Sequence, residues 1–339
     1  MKTRSWKIQG SFGLDGLRLV EGEVEDPGPG EVQVAIRAVS LNYRDLMMVE
    51  GSYDPSQDLP LVPCSDAAGE VVAVGDEVEE LAVGDRVIPC FAQGWIAGRP
   101  TRPRLRRTLG GPLPGTLTDA RNFPVSGVVK APECLSWEEA ATLPCAGLTA
   151  WSALTLEGDL GPGQTLLTLG TGGVSLFALQ LGRALGAEVL VTSSSDEKLE
   201  RARNLGARHG INYSTESDWG RKAKELTGGE GVDQVIEVGG AKTLRQSLQA
   251  VRIGGTISVI GVLSGAEAPL SVVPILMRRI RLQGILVGHR DGLHSLVRAV
   301  DAREIHPVVD RTFPFEEAPA AFEHVKEGKH FGKIVIRPD

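Results

Sequence analysis

The stretch TLLTLGTGGVSLFALQLG, residues 165–182, decides the fold. An apolar, β-branched run leads into Gly170-Thr171-Gly172-Gly173-Val174-Ser175, and a helix-like segment follows. Strand, glycine turn and helix in that order form a turn that holds phosphate. Gly170 lets the chain turn sharply, and Gly172 leaves room for a pyrophosphate to approach the backbone. Amides from Gly173 and Val174 onward donate to it, helped by the helix dipole. The third glycine of such turns lets the helix pack close to its strand, and here Ser175 stands in its place. Serine is the next smallest polar residue, so the helix is expected to shift only slightly and the turn to keep its ligand.

The pattern extends outward from this turn. Strands are expected over 166–170, 188–193, 210–213, 234–239, 256–261 and 281–288. Amphipathic segments lie between most of them, over 174–186, 196–205, 216–227 and 241–251. Such alternation means parallel strands joined by crossover helices, an α/β doubly wound sheet. The first third reads differently. EVQVAIRAVSLN (31–42) alternates Val32, Val34 and Ile36 on one face, and 68–78 and 81–90 each carry a Gly-Asp turn signal. Short strands at this spacing suggest a small barrel-like β domain. Ser136 with Glu139 forms a capping box ahead of a helical run. The terminal strand in FGKIVIRPD is expected to return to the first domain.

A chain of 339 residues has room for two domains. Its net charge of −7 argues against nucleic acid or an anionic membrane as a partner. Arg99, Arg102, Arg104, Arg106 and Arg107 form a local basic run, expected to be a solvated loop or short helix face. No apolar window reaches the length of a membrane span, and MKTRSWKIQG lacks a signal-peptide core, so a cytoplasmic location is expected. Cys64, Cys90, Cys134 and Cys145 show no framework and read as reduced thiols.

The second strand of the sheet selects the cofactor. An NAD site places Asp or Glu at that strand's tip for the ribose 2′-hydroxyl. Here the tip is Thr192-Ser193-Ser194-Ser195, without a carboxylate. Hydroxyls at Ser193 and Ser194 can donate to a 2′-phosphate, and Lys198 can supply charge. Tyr213, at the end of the third strand, is another donor. The expected cofactor is NADP(H).

The sequence resembles the medium-chain dehydrogenase/reductase family. The likeness is carried by GEVQVAIRAVSLNYRDLMMVEGSY, GEVVAVGDEVEELAVGDRVIP, EEAATLPCAGLTAWSAL, the glycine-turn segment through LERARNLGA, INY and GKIVI. It implies a GroES-like β-barrel catalytic domain from 1–147 and 289–339, a Rossmann NADP(H)-binding domain over 148–288, and a cofactor in the cleft. Within the family the sequence is most similar to the zinc-independent, quinone-oxidoreductase-like branch. The zinc-dependent branch uses a Cys after the first long strand and a His-Glu pair before AAGEVV. Here those places hold Leu41-Asn42-Tyr43-Arg44-Asp45 and Cys64-Ser65-Asp66. The segment 91–118, where a four-cysteine structural lobe would fall, has no Cys. No metal is expected; Cys64, Asp66 and Cys145 are the alternative zinc set.

The resemblance also implies roles. Asn42 would donate to a substrate carbonyl, Tyr53 would donate or form a ring wall, and Asp45 would hold the loop or a cofactor-ring contact. Met47 stands where close relatives often carry another Tyr. Thr149 would lie near the nicotinamide, Val238 and Gly239 near the adenine-side ribose, and Gly261, Val262 and Leu263 beside the nicotinamide. Val287, Gly288 and His289 would end the last strand, where backbone groups hold the cofactor's carboxamide. His289 either donates a proton in the cleft or caps a strand in solvent. Lys333 would reach a cofactor phosphate. Trp95 would wall the pocket or anchor the core. The expected function is NADPH-dependent hydride transfer to a conjugated carbonyl or quinone. The alternatives are an NADP-dependent alcohol/ketone dehydrogenase and a largely inactive NADPH-binding protein. The family's pairing of edge strands implies a homodimer.

Overall fold

The computed structural model describes residues 1–267 and 269–338. The chain divides into two compact units, Met1–Leu148 with Gly288–Asp339, and Thr149–Val287.

In the first unit, β1 (Lys2–Ile8) and β2 (Leu17–Glu23) form an antiparallel hairpin. A separate sheet is built around β3 (Glu31–Leu41). It includes β4 (Asp66–Val74), β5 (Arg86–Pro89), β6 (Ala120–Pro124) and β7 (Val128–Lys130). The one-faced alternation expected of 31–42 is corrected here. Val32 to Ile36 are all buried, because β3 lies inside the sheet with both faces covered. Helix α1 (Tyr43–Val49) leaves directly from the end of β3. The basic run falls partly on α2 (Arg102–Leu105), which buries none of its residues. Ser136 and Glu139 form the expected capping box on α3 (Trp137–Ala140). The helical run then continues as π-helical turns at Leu143–Gly147 and Ser152–Leu156 around α4 (Leu148–Trp151). Pro144 lacks the amide a regular helix would need there.

The second unit alternates strand and helix: β8 (Thr165–Leu169), α5 (Gly173–Ala184), β9 (Glu188–Ser193), α6 (Asp196–Asn204), β10 (His209–Asn212) and α7 (Trp219–Leu226). It continues with β11 (Val232–Glu237), α8 (Leu244–Ala250), β12 (Val251–Val259), α9 (Val273–Arg278) and β13 (Arg281–Gly284). All pairings in this sheet are parallel, in the order β10-β9-β8-β11-β12-β13. Leu167, Leu190, Ile211, Val235 and Ile257 lie in its core. The strand order reverses between β8 and β11, which is where doubly wound sheets bind ligands, at the carboxyl ends of the strands. The last strand was expected over 281–288 but ends at Gly284. Val287 adopts a left-handed φ of 48°, which extended pairing does not allow.

The chain re-enters the first unit with α10 (Arg290–Arg303), β14 (Val309–Pro314), α11 (Ala318–Glu327) and β15 (Lys333–Arg337). The terminal strand pairs antiparallel with β3 and parallel with β14, so it returns as expected. Phe315, Phe322, Ile334 and Ile336 join Val34, Ile36 and Phe123 in one core. Among the described residues no helix is long and apolar enough to cross a membrane.

Candidate active site

In the second unit, the glycine turn has a left-handed residue at its first glycine, a conformation that favours glycine. Gly170 has φ 74°, and Gly172 caps α5 in an extended conformation. A Cβ on either would meet nothing within 4 Å, so open space lies over the turn. The first-turn amides of α5 have no intrahelical acceptors and face an anion naturally. The buried Ser175 hydroxyl donates to the Leu169 carbonyl at 2.6 Å, tying the helix to its strand. A dinucleotide pyrophosphate fits this cradle, with Gly170, Gly172, Gly173 and Val174 as its wall.

At the tip of β9 each serine has its own environment. Ser193 is buried and its hydroxyl accepts from the Ser195 amide at 3.2 Å. Ser194 is exposed. Ser195 caps α6, accepting from the Lys198 amide at 3.3 Å. Tyr213 is exposed just past β10, and its amide donates to the Ser193 carbonyl. The acids nearest the tip, Asp196 and Glu197, lie in the first turn of α6. Asp196 accepts from the Asn212 side chain at 2.9 Å.

Glu237, at the end of β11, was not anticipated. It is wholly buried. Its Oε1 accepts from the Gly239 and Gly240 amides at 2.8 and 2.9 Å and from the Thr243 hydroxyl at 2.6 Å. Its Oε2 accepts from the Ser247 hydroxyl. One carboxylate thus shapes the loop of Val238 and Gly239. That loop touches the next: a Cβ on Gly261 would come within 2.3 Å of the Val238 carbonyl. Val262 and Leu263 are exposed beside it, while Thr149 and Val287 are buried. The signal in the sequence was an acid closing the apolar strand of QVIEVGG.

The first unit gathers a buried polar cluster where β3, β4 and β15 meet. Lys333 is buried and its ammonium donates to the Leu41 carbonyl at 2.5 Å and to Asn42 Oδ1 at 2.6 Å. Lys333, read by resemblance as a cofactor-phosphate ligand, has its ammonium on Leu41 and Asn42 here. Asn42 Nδ2 faces the Ser65 hydroxyl at 3.5 Å, and that hydroxyl donates to Asp66 at 2.7 Å. Asp66 also accepts from the Cys145 amide at 3.1 Å. Asp45 accepts from the Asn42 amide at 2.8 Å, holding the loop as expected. Burial pushes the Asp45 carboxyl up to about 6, against the pull of Arg44. Burial also raises Asp66, with Lys333 opposing.

The family's zinc does not fit here. Asn42 and Ser65 offer only neutral oxygens where a thiolate and an imidazole would stand. Burial raises the Cys64 and Cys145 thiols far above their ordinary range, and nearby carboxylates add to the effect. An ammonium already sits on Asn42, and it has protons to give and no lone pair.

Tyr53 is exposed, with the Arg44 guanidinium 4.8 Å from its ring centroid. His289 caps α10, its Nδ1 accepting from the Gly292 amide at 2.9 Å. Neutral His289 therefore carries its proton on Nε2. Its ring meets Trp95 edge-on at 5.6 Å. Trp95 is buried and donates to the Gly98 carbonyl at 2.8 Å, an anchor for its loop. Gly288 is buried at the start of the returning segment. Asn42, Lys333, Ser65 and Asp66 are thus brought together, whereas Tyr53 and His289 have separate partners.

Comparison with known proteins agrees with this architecture. Residues 28–133 match the alcohol dehydrogenase GroES-like domain, and residues 173–302 match the zinc-binding dehydrogenase domain. The chain is 45% identical over 334 residues to the zinc-type alcohol dehydrogenase-like protein C1773.06c of Schizosaccharomyces pombe, covering 96% of each. It is 31% identical to a 2-haloacrylate reductase of a Burkholderia species, again covering 96% of each. A crystal structure from Sinorhizobium meliloti 1021, of a protein provisionally named an alcohol dehydrogenase, superposes with a TM-score of 0.93. That protein is 46% identical, with 99% of each chain covered. By its sheet order, its glycine turn and these matches, the chain belongs to the medium-chain dehydrogenase/reductase family and is an oxidoreductase.

Proposed function

We propose that this oxidoreductase works without zinc, with NADP(H), on a conjugated carbonyl or a quinone. The observation that carries the reading is the Lys333–Asn42–Ser65–Asp66 cluster, which brings a neutral donor and a fixed cation together where the resemblance puts the zinc ligands. NADPH, when bound, supplies the hydride. Asn42 donates to the acceptor's carbonyl oxygen as charge develops on it, and His289 Nε2 or Tyr53 returns a proton. A single neutral donor stabilises a delocalised enolate or hydroquinone anion better than a full alkoxide, so conjugated acceptors are favoured. The acceptor of the similar 2-haloacrylate reductase, by its name, is itself conjugated.

Preference for NADPH rests on the tip of β9, where Ser194 and Lys198 meet a 2′-phosphate without a carboxylate. Calorimetry tests it: NADPH should bind at least ~10-fold tighter than NADH, about 1.4 kcal/mol. Lys198→Ala should narrow that gap, and equal affinity for the two cofactors would sink the assignment.

A homodimer belongs to the same reading. β13 is a free edge of its sheet, and Val272, Leu276 and Met277 beside it are 67%, 75% and 73% exposed. Exposed apolar side chains next to an edge strand suit a second copy. Four free thiols suit a cytoplasmic setting.

A further inference from the structure

We propose that Lys333 is a positioning residue for the reaction, a built-in cation that orients the Asn42 amide and charges it toward the acceptor. The proposal rests on the reading above, in which Asn42 is the donor to the substrate oxygen.

The argument begins with what an amide cannot do alone. Its oxygen and nitrogen are nearly the same size, and a half-turn about the Cβ–Cγ bond exchanges donor for acceptor. A catalytic donor needs that choice settled. Here it is settled from both ends. The Lys333 ammonium takes Oδ1 at 2.6 Å, a place where an NH2 group would meet an ammonium head-on. At the other end, Nδ2 faces the Ser65 hydroxyl, whose own proton is committed to Asp66. The reversed rotamer would set donor against donor at one end and lose the hydroxyl acceptor at the other. The Asn42 amide also reaches the Asp66 carboxyl, which fixes its donor end a second time.

Geometry holds Lys333 to this task. It opens β15, whose residues Lys333 to Ile336 are all buried, and β15 pairs with β3 at Leu41. Its ammonium also grips the Leu41 carbonyl, one residue before Asn42. The side chain is 4% exposed, whereas Asn42 is only partly buried, so Asn42 is the member of the pair that meets a ligand. Asp66, wholly buried nearby, compensates the charge. A cation bonded to an amide oxygen draws electron density from the amide and makes its N–H groups better donors. The charge that a metal would bring is thus carried by a side chain and delivered through one amide.

The test is a double-mutant cycle between Lys333→Met and Asn42→Ala, read with NADPH and the best acceptor of wild-type enzyme. Lys333→Met should lower kcat by roughly 10- to 100-fold and leave the affinity for NADPH within twofold. The double variant should be no slower than Asn42→Ala, because both changes remove one interaction. The side-chain amide proton pair of Asn42, identified by its loss in Asn42→Ala, should shift in Lys333→Met. Weakened NADPH binding with unchanged kcat would overturn the proposal and return Lys333 to a cofactor phosphate. Multiplying losses in the double variant would also overturn it. If Lys333→Met does not fold, Lys333→Gln keeps a donor without the charge, and the same cycle applies. Reduction of saturated ketones alone would refute the acceptor class, while the cycle on those ketones still decides the role of Lys333.

Discussion

The Ser175 hydroxyl reaches back to the Leu169 carbonyl at 2.6 Å, joining α5 to the strand it leaves. The serine that breaks the glycine pattern thus works as a fastener. Ser175→Ala should cost about 1 kcal/mol of stability, the loss of one buried hydrogen bond, with NADPH affinity within twofold of wild type. Ser175→Val should cost roughly 1–3 kcal/mol through overpacking. Thermal unfolding and calorimetry measure both. A large loss of affinity in Ser175→Ala would mean that the hydroxyl serves the ligand instead.

Glu237 fixes the loop of Val238 and Gly239 through four hydrogen bonds to a buried carboxylate. Glu237→Ala leaves those donors unpaired and should destabilise the protein by about 3 kcal/mol. It should also weaken NADPH binding roughly tenfold, since the loop loses its shape. Denaturant unfolding and calorimetry, run on the same samples, separate the two effects. Unchanged affinity would detach this loop from the cofactor.

Asp45 makes a pH prediction. Its carboxyl is raised from 3.8 to about 6, so the folded protein holds that proton longer than the unfolded chain does. Between those values the folded state binds more protons, and stability falls as pH rises through the window. Asp66 is shifted in the same direction, while Arg44 and Lys333 oppose the shift of Asp45. Asp45→Asn keeps an oxygen for the Asn42 amide and removes the charge. It should flatten the pH dependence between about pH 4 and 6 by roughly 2 kcal/mol. Parallel stability curves for the two proteins would show that Asp45 does not titrate there.

The edge of the second unit predicts an assembly. Leu276→Glu and Met277→Glu, placed on exposed apolar side chains next to β13, should convert a dimer to a monomer in light scattering. A wild-type monomer at micromolar concentration would remove the dimer from the account.

Local signals made most of the fold legible. The strand–glycine–helix unit, the alternation after residue 165 and the capping box at Ser136 each lie within a short window of sequence. The both-faced burial of β3 was hidden, because the strand packs in a core with residues far away in the chain, Phe315 and Phe322 among them. The same distance hid the role of Lys333. The resemblance reads Lys333 as reaching a cofactor phosphate, and its bond to Asn42 emerges only once its strand is seen to pair with β3 at Leu41. His289 was ambiguous for a related reason: capping depends on where α10 begins, and the fold sets that boundary. Glu237 was readable in principle as an acid inside an apolar run, but its partners Thr243 and Ser247 become neighbours only once α8 packs.

The most direct test of the central claim compares kcat/KM for an enone with that for its saturated ketone, using NADPH and metal-free buffer, in wild type and Asn42→Ala. The account predicts that the enone reacts faster and that Asn42→Ala lowers its kcat/KM by roughly 10- to 1,000-fold, the loss of one donor to a developing oxyanion. Efficient turnover of the saturated ketone or its alcohol, no turnover of the enone or a quinone, and no effect of Asn42→Ala would contradict it.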